Sequence, residues 1–130
     1  MKASERLAEV FERGQQQGFA SLTAPERDLW LIQDFIIEHG GGGLSGYFYN
    51  RLPDLDHIRA TVDAMSRYGL TRLAGMLNEA LGLFDGYVDP DPPTTWNGVL
   101  RRYDPANRLD ALSGQIYGLS GYGVAESTIA

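Results

Sequence analysis

Four consecutive glycines, Gly40 to Gly43, separate the most apolar stretch of the chain from three consecutive aromatic residues, Tyr47, Phe48 and Tyr49. Upstream, Leu29, Ile32, Phe35 and Ile36 recur at the spacing of one helical face, and Trp30, Leu31 and Ile37 widen it. So broad a stripe marks a helix at the centre of a core. Thr23-Ala24-Pro25-Glu26 gives that helix a defined start. Thr at the N-cap and Glu three residues on can each satisfy an orphan backbone donor, and a proline in the first turn forfeits no hydrogen bond. Glycine carries no β-carbon to clash where two helices approach, so Gly40–Gly43 predicts a tight helix-to-helix reversal into a short helix over Leu44 to Asn50. Successive helical residues are rotated by about 100°, so the three aromatics cannot all face one core. Tyr47 and Phe48 are expected to close onto the central helix. The third aromatic is left half-buried or free as an anchor for a protein partner.

The remaining elements read as helices too. Leu7, Val10, Phe11 and Gly14 form a face over Ser4 to Gln17, closed by Gly18. Asp54 or Asp56 caps a helix carrying Ile58, Val62 and Met65, closed by Gly69. Thr71 is expected to cap the next, with Leu73, Met76, Leu77, Ala80, Leu81 and Phe84 on one stripe. Prolines at 90, 92 and 93 make residues 87–95 an extended loop. Thr94 or Thr95 then caps a short helix with Trp96, Val99 and Leu100, and Asp104-Pro105 opens a last one with Leu109, Leu112, Ile116 and Tyr117. No alternating strand pattern of useful length is present. The expected fold is an all-α, compact single-domain bundle of about six or seven helices over residues 1–118. Residues 119–130, rich in Gly, Ser and Ala, are expected to form a flexible tail.

At 130 residues the chain is about one domain long. The absence of cysteine excludes a disulfide framework, a thiolate zinc site and a cysteine nucleophile, and fits a reducing compartment. The N-terminus lacks the apolar core of a signal peptide, and Leu29 to Ile37 is far short of the roughly 20 residues that span a bilayer. A cytoplasmic protein without membrane association is expected. The 17 acidic and 11 basic side chains leave a net charge of −6, which repels phosphate backbones and argues against direct nucleic-acid binding. It suits a basic partner.

Motifs for chemistry are absent. A phosphate loop would need Lys and Ser or Thr after its last glycine, where Leu44-Ser45 stands, and a dinucleotide fingerprint would need a preceding strand. Ser45 is not flanked as in a nucleophile elbow. His39 and His57 lack the spacing of a helical metal site, and Asp85 to Asp91 lacks the glycine and terminal Glu of a calcium loop. No catalytic residue, metal or cofactor is expected.

Leu22-Thr23-Ala24-Pro25-Glu26, followed by Gly41-Gly42-Gly43-Leu44-Ser45-Gly46-Tyr47-Phe48-Tyr49-Asn50, resembles a family of bacterial helical proteins first catalogued as a domain of unknown function. That family includes a neisserial DNA-mimic protein. The resemblance spans roughly Leu22 to Tyr117, with Gly41, Gly42, Gly43, Tyr47, Phe48 and Asn50 as its signature. Gly41 stands where the family favours Asn, and Leu44 where it favours Phe. The resemblance implies an all-helical fold and a binding role toward a basic DNA-binding protein.

The leading expectation is therefore a non-enzymatic acidic protein-binding module, mimicking DNA toward a basic DNA-binding protein. Its candidate contacts, chosen by charge, are Asp54, Asp56, Asp85, Asp89 and Asp91. Self-association into a homodimer is compatible with the same features. The alternative is a small-ligand binder or enzyme with a site beside the Gly40–Gly43 turn, using His39, His57 and Tyr49. It requires a concave pocket that holds both histidines.

Overall fold

The computed structural model describes residues 2–124 and contains six α-helices, with no strand among the described residues. They are α1 (Ala3–Gln17), α2 (Ala24–Arg51), α3 (Leu55–Arg67), α4 (Thr71–Leu83), α5 (Trp96–Tyr103) and α6 (Arg108–Tyr117). Short 3-10 turns cover Phe19–Ser21 and Ser120–Gly123. Helices α1, α3 and α6 pack on α2, which supplies much of the core through Leu29, Ile32, Phe35, Leu44, Tyr47 and Phe48. The all-helical bundle read from the periodicity is the fold observed.

The start of α2 follows its sequence. Glu26 N–H donates to Thr23 Oγ1 at 3.3 Å, and Thr23 N–H donates back to Glu26 Oε1 at 3.0 Å. The reversal is present, but Gly43 makes it alone. Its φ of 63° and ψ of −166° lie in a region essentially reserved for glycine, and they divide α2 into arms over residues 24–42 and 44–51. The arms fold against each other. Rings of Phe35 and Tyr47 lie 4.9 Å apart, and Asn50 Nδ2 donates to Glu38 Oε2 at 2.6 Å. On a straight helix, residues 38 and 50 would stand about 18 Å apart.

Two boundaries therefore differ from expectation. Gly40, Gly41 and Gly42 continue the first arm instead of ending it, because the ladder of helical hydrogen bonds runs on until a residue leaves helical φ/ψ. A β-carbon on Gly43 would also approach Ser113 Oγ to 3.2 Å, and that hydroxyl accepts from Leu44 N–H at 2.8 Å. Nothing stands within 4 Å of a β-carbon placed on Gly41 or Gly42, so the structure offers no steric reason for glycine there. Thr71 is the first residue of α4 and not its cap; Leu70 holds the N-cap position without a side-chain bond.

A third boundary differs as well: α6 opens at Arg108, later than the expected Asp104-Pro105, with Asn107 at the N-cap. Its first N–H groups are held by buried Asp104, which accepts from Arg108 N–H at 2.6 Å and Leu109 N–H at 2.9 Å. Thr95 caps α5 through Gly98 N–H at 3.1 Å. Residues 119–124, expected to trail from the bundle, close a turn that lays Tyr122 against Phe35 and His39. The rest of the expected tail, residues 125–130, lies outside the described residues.

Candidate functional site

A polar cluster sits where the α2 hairpin meets α3. Asp34 is only 4% exposed although it lies inside the apolar stripe. Arg51, from the other arm, donates to both its carboxylate oxygens, and His57 Nε2 lies 3.3 Å from Oδ2. Glu38 Oε1 stands 3.5 Å from the same guanidinium. Burial by itself pushes the Asp34 carboxyl up, but the hydrogen bonds from His57 and Arg51 outweigh it and hold the group below the usual range. Asp34 is thus an acceptor only, and His57 presents N–H at Nε2. The cluster clamps the hairpin shut and consumes its own charge.

His39 is a core residue. It has no exposed surface and stacks on Phe35 at 5.3 Å; its Nδ1 lies 3.3 Å from the Tyr122 hydroxyl. Tyr117 donates to the His39 carbonyl at 2.5 Å. Nε2 is buried without a partner among the described residues, and burial pushes the imidazole down to about 4. The pocket that an enzyme or ligand binder beside the glycines would need does not form around both histidines. A hollow of about 420 Å³ reaches His57 between Phe19, Trp30, Leu31, Ala60, Asp54 and Asp56, without His39. The glycines lie within a helix and do not line it. Among the described residues, no group of three or more His, Asp or Glu side chains could hold a metal ion, and no helix is long and apolar enough to cross a membrane.

The aromatic triplet divides as its helical phase requires. Tyr47 and Phe48 are fully buried, whereas Tyr49 is 63% exposed, its ring 5.6 Å from that of Trp96. Trp96 is fixed by its indole N–H, which donates to Ser45 Oγ at 2.8 Å, and by stacking over Phe84. Tyr49 and Trp96, with Tyr87, Pro90, Pro93 and Val99, line a hollow of about 340 Å³. Asp89 stands at its edge, accepting from the Tyr87 hydroxyl at 3.3 Å. Val88, next to it, is 70% exposed. Sequence periodicity places Trp96 on a helical face, and the proline loop enters the sequence reading only through its acids, Asp89 and Asp91, not as a wall of a hollow. The signal available was the clustering of prolines with aromatics, which stiffens a loop enough to build a wall.

The five acids selected by charge fall into two groups. Asp54 caps α3 through His57 N–H at 3.1 Å, and Asp56 pairs with Arg59 at 3.2 Å; both border the Trp30 hollow. Asp85, Asp89 and Asp91 are exposed and make no ion pair among the described residues. Elsewhere Glu9, Glu26, Asp28, Asp34, Glu38 and Glu79 are each matched to an arginine. The two hollows share no lining residue; Leu52 lines one and Asp54 the other.

Comparison with known proteins gives one positive result. The family described as DMP19-like protein has a model that matches residues 20–126, a span that takes in the capping box, the glycine hairpin and the proline loop. Neither a curated protein nor a solved structure matches the chain.

Proposed function

Because the chain belongs to the DMP19-like protein family, we propose that it works as a non-enzymatic binding module that engages a basic DNA-binding protein through its acidic surface, in place of DNA. One observation carries this reading. Asp85, Asp89 and Asp91 are exposed and make no ion pair among the described residues; Asp89 lines the hollow that holds exposed Tyr49, and exposed Val88 precedes it in sequence. Unpaired carboxylates steer a basic partner from a distance; the apolar groups then hold it at contact. Asp54 and Asp56, which line the Trp30 hollow, are the further acids assigned to this contact.

Binding of this kind weakens as salt rises, since the screening length shrinks from about 10 Å at 0.1 M to about 3 Å at 1 M. The test is affinity capture from lysate of the source cell at low and high salt. The wild type is compared with an Asp85→Asn/Asp89→Asn/Asp91→Asn variant. The expected result is a basic DNA-binding protein, captured at low salt, lost at high salt and lost in the variant, whose DNA complex the wild type competes away. Capture that ignores salt and the three substitutions refutes the reading.

A further inference from the structure

We infer that the hollow lined by Tyr49, Trp96 and the proline loop is an arginine pocket, built to take the guanidinium and stem of one arginine from an extended basic segment of the protein partner. The inference rests on the reading of the acidic surface given above and names the group that surface grips.

Charge complementarity selects a cation. The Tyr87 hydroxyl donates to Asp89 Oδ1, and the carboxylate, which lines the hollow, makes no ion pair among the described residues. Asp85 and Asp91 flank Asp89 in sequence, and none of the three is neutralised by a described side chain of this chain. The hollow at Trp30 differs, because Arg59 already sits on Asp56, one of its lining acids.

Shape selects arginine over lysine. The walls are flat rings: the Tyr49 phenol and Trp96 indole meet at 72°, with two prolines beside them. A planar guanidinium stacks on such rings while pairing with a carboxylate, whereas an ammonium is a compact, strongly hydrated point charge. The volume of about 340 Å³ suits a single long side chain. Most of the pocket is also preorganised. Trp96 is held by Ser45 and Phe84, and Tyr87 is 8% exposed. Only Tyr49 must settle on binding, so little ordering entropy opposes it.

The test is an NMR titration of the ¹⁵N-labelled protein with a Gly/Ser-rich peptide carrying paired arginines, and with its lysine and citrulline counterparts. The Trp96 indole N–H reports the pocket and that of Trp30 serves as internal control. The arginine peptide is expected to shift the Trp96 signal saturably and leave Trp30 in place. The lysine peptide should bind about five- to tenfold more weakly, and the citrulline peptide not measurably. Tyr49→Ala removes an exposed ring without changing the net charge, and an unchanged Trp30 signal verifies its fold. It should weaken the arginine peptide by about fivefold or more, on the scale of one cation–π contact. Equal response to lysine, no shift at Trp96, a shift at Trp30 instead, or indifference to Tyr49→Ala each overturns the pocket. These outcomes are separable from those for the acidic surface. Salt-sensitive capture of a DNA-binding protein that survives Tyr49→Ala leaves the function standing and the pocket refuted; salt-insensitive capture refutes the function even where the arginine peptide binds.

Discussion

The clamp beneath the α2 hairpin and the loop face around Tyr49 use the same residue types for different purposes. In the clamp, Asp34 and Glu38 meet Arg51 and His57 across a kink, and the carboxylates are spent holding two arms of one helix together. On the loop face Asp85, Asp89 and Asp91 make no ion pair among the described residues, and Asp89 shares its hollow with the exposed ring of Tyr49. The net charge of −6 averages over both. What a partner would encounter is the charge left over after internal pairing, which takes in exposed Glu5, Glu12, Asp63 and Asp110 as well as the three loop acids. Acidic residues serve the fold where the backbone brings arginine to them, and remain available where it does not.

The sharpest way to break this contrast is to unpair the clamp. We predict that Arg51→Met, which leaves the buried Asp34 carboxylate with His57 alone, lowers unfolding stability by about 3–5 kcal/mol, the usual consequence of stranding one buried charge. Urea denaturation at neutral pH measures it. Removing Asp34 as well, with Asp34→Leu/Arg51→Met, should recover much of the loss. A single-variant loss below about 1 kcal/mol, the worth of an exposed pair, would mean that the cluster does not hold the hairpin.

His39 gives a second, pH-dependent signature on the buried side. Burial lowers its folded pKa to about 4 from an ordinary value of 6.5. Between those values the unfolded chain binds a proton that the folded protein refuses, so stability falls as pH drops through about 6.5 toward about 4. Below that window both states are protonated and the residue adds no further change. The full effect is at most about 3.5 kcal/mol, from roughly 1.4 kcal/mol for each tenfold loss of proton affinity. His39→Phe should remove this slope and leave the carboxylate-driven loss at lower pH. Unfolding midpoints of the two proteins across pH 7 to about 4 decide it: parallel curves would mean that His39 does not set the slope.

Within the hairpin, equal-looking glycines should behave oppositely. Gly43→Ala forces a β-carbon into glycine-only backbone geometry and toward Ser113, so a loss of about 1–3 kcal/mol is expected. Gly41→Ala sits on an exposed helical turn with open space, and should stabilise by about 0.5–1 kcal/mol. Thermal melts of the pair suffice. Destabilisation by both would show that the first arm is not helical through Gly42.

These contrasts also mark how far the sequence could be read. Features set by near neighbours were legible: the Thr23–Glu26 capping box, the apolar faces, and the split of Tyr47 and Phe48 inward from Tyr49 outward. Features set by distant contacts were not. Gly43 is singled out by Ser113, 69 residues away from Leu44, and periodicity carries no trace of that contact. Asp34 finds Arg51 only because the kink folds 17 residues back on themselves. Its position in the middle of an apolar stripe was the available hint, since a buried carboxylate must have partners. Four glycines follow His39, yet the helix runs on past it and the 120–123 turn covers the imidazole. The acids of the loop were chosen by composition; their freedom from arginine depends on the fold.

The smallest stability effect belongs to the open face, and there the size of the effect is the point. Replacing Asp85, Asp89 and Asp91 together by Asn removes three charges that no described side chain neutralises, so the unfolding free energy should change by less than about 0.5 kcal/mol. A slight gain is the more natural sign, because a net charge of −6 repels itself and the substitutions bring it to −3. The same variant should lose the salt-sensitive partner altogether. Stability held while binding disappears is a combination the clamp residues cannot produce, since stranding Asp34 loosens the hairpin first. A triple variant that unfolds as readily as Arg51→Met would show that the loop acids also serve the fold, and the distinction between spent and available charge would fail.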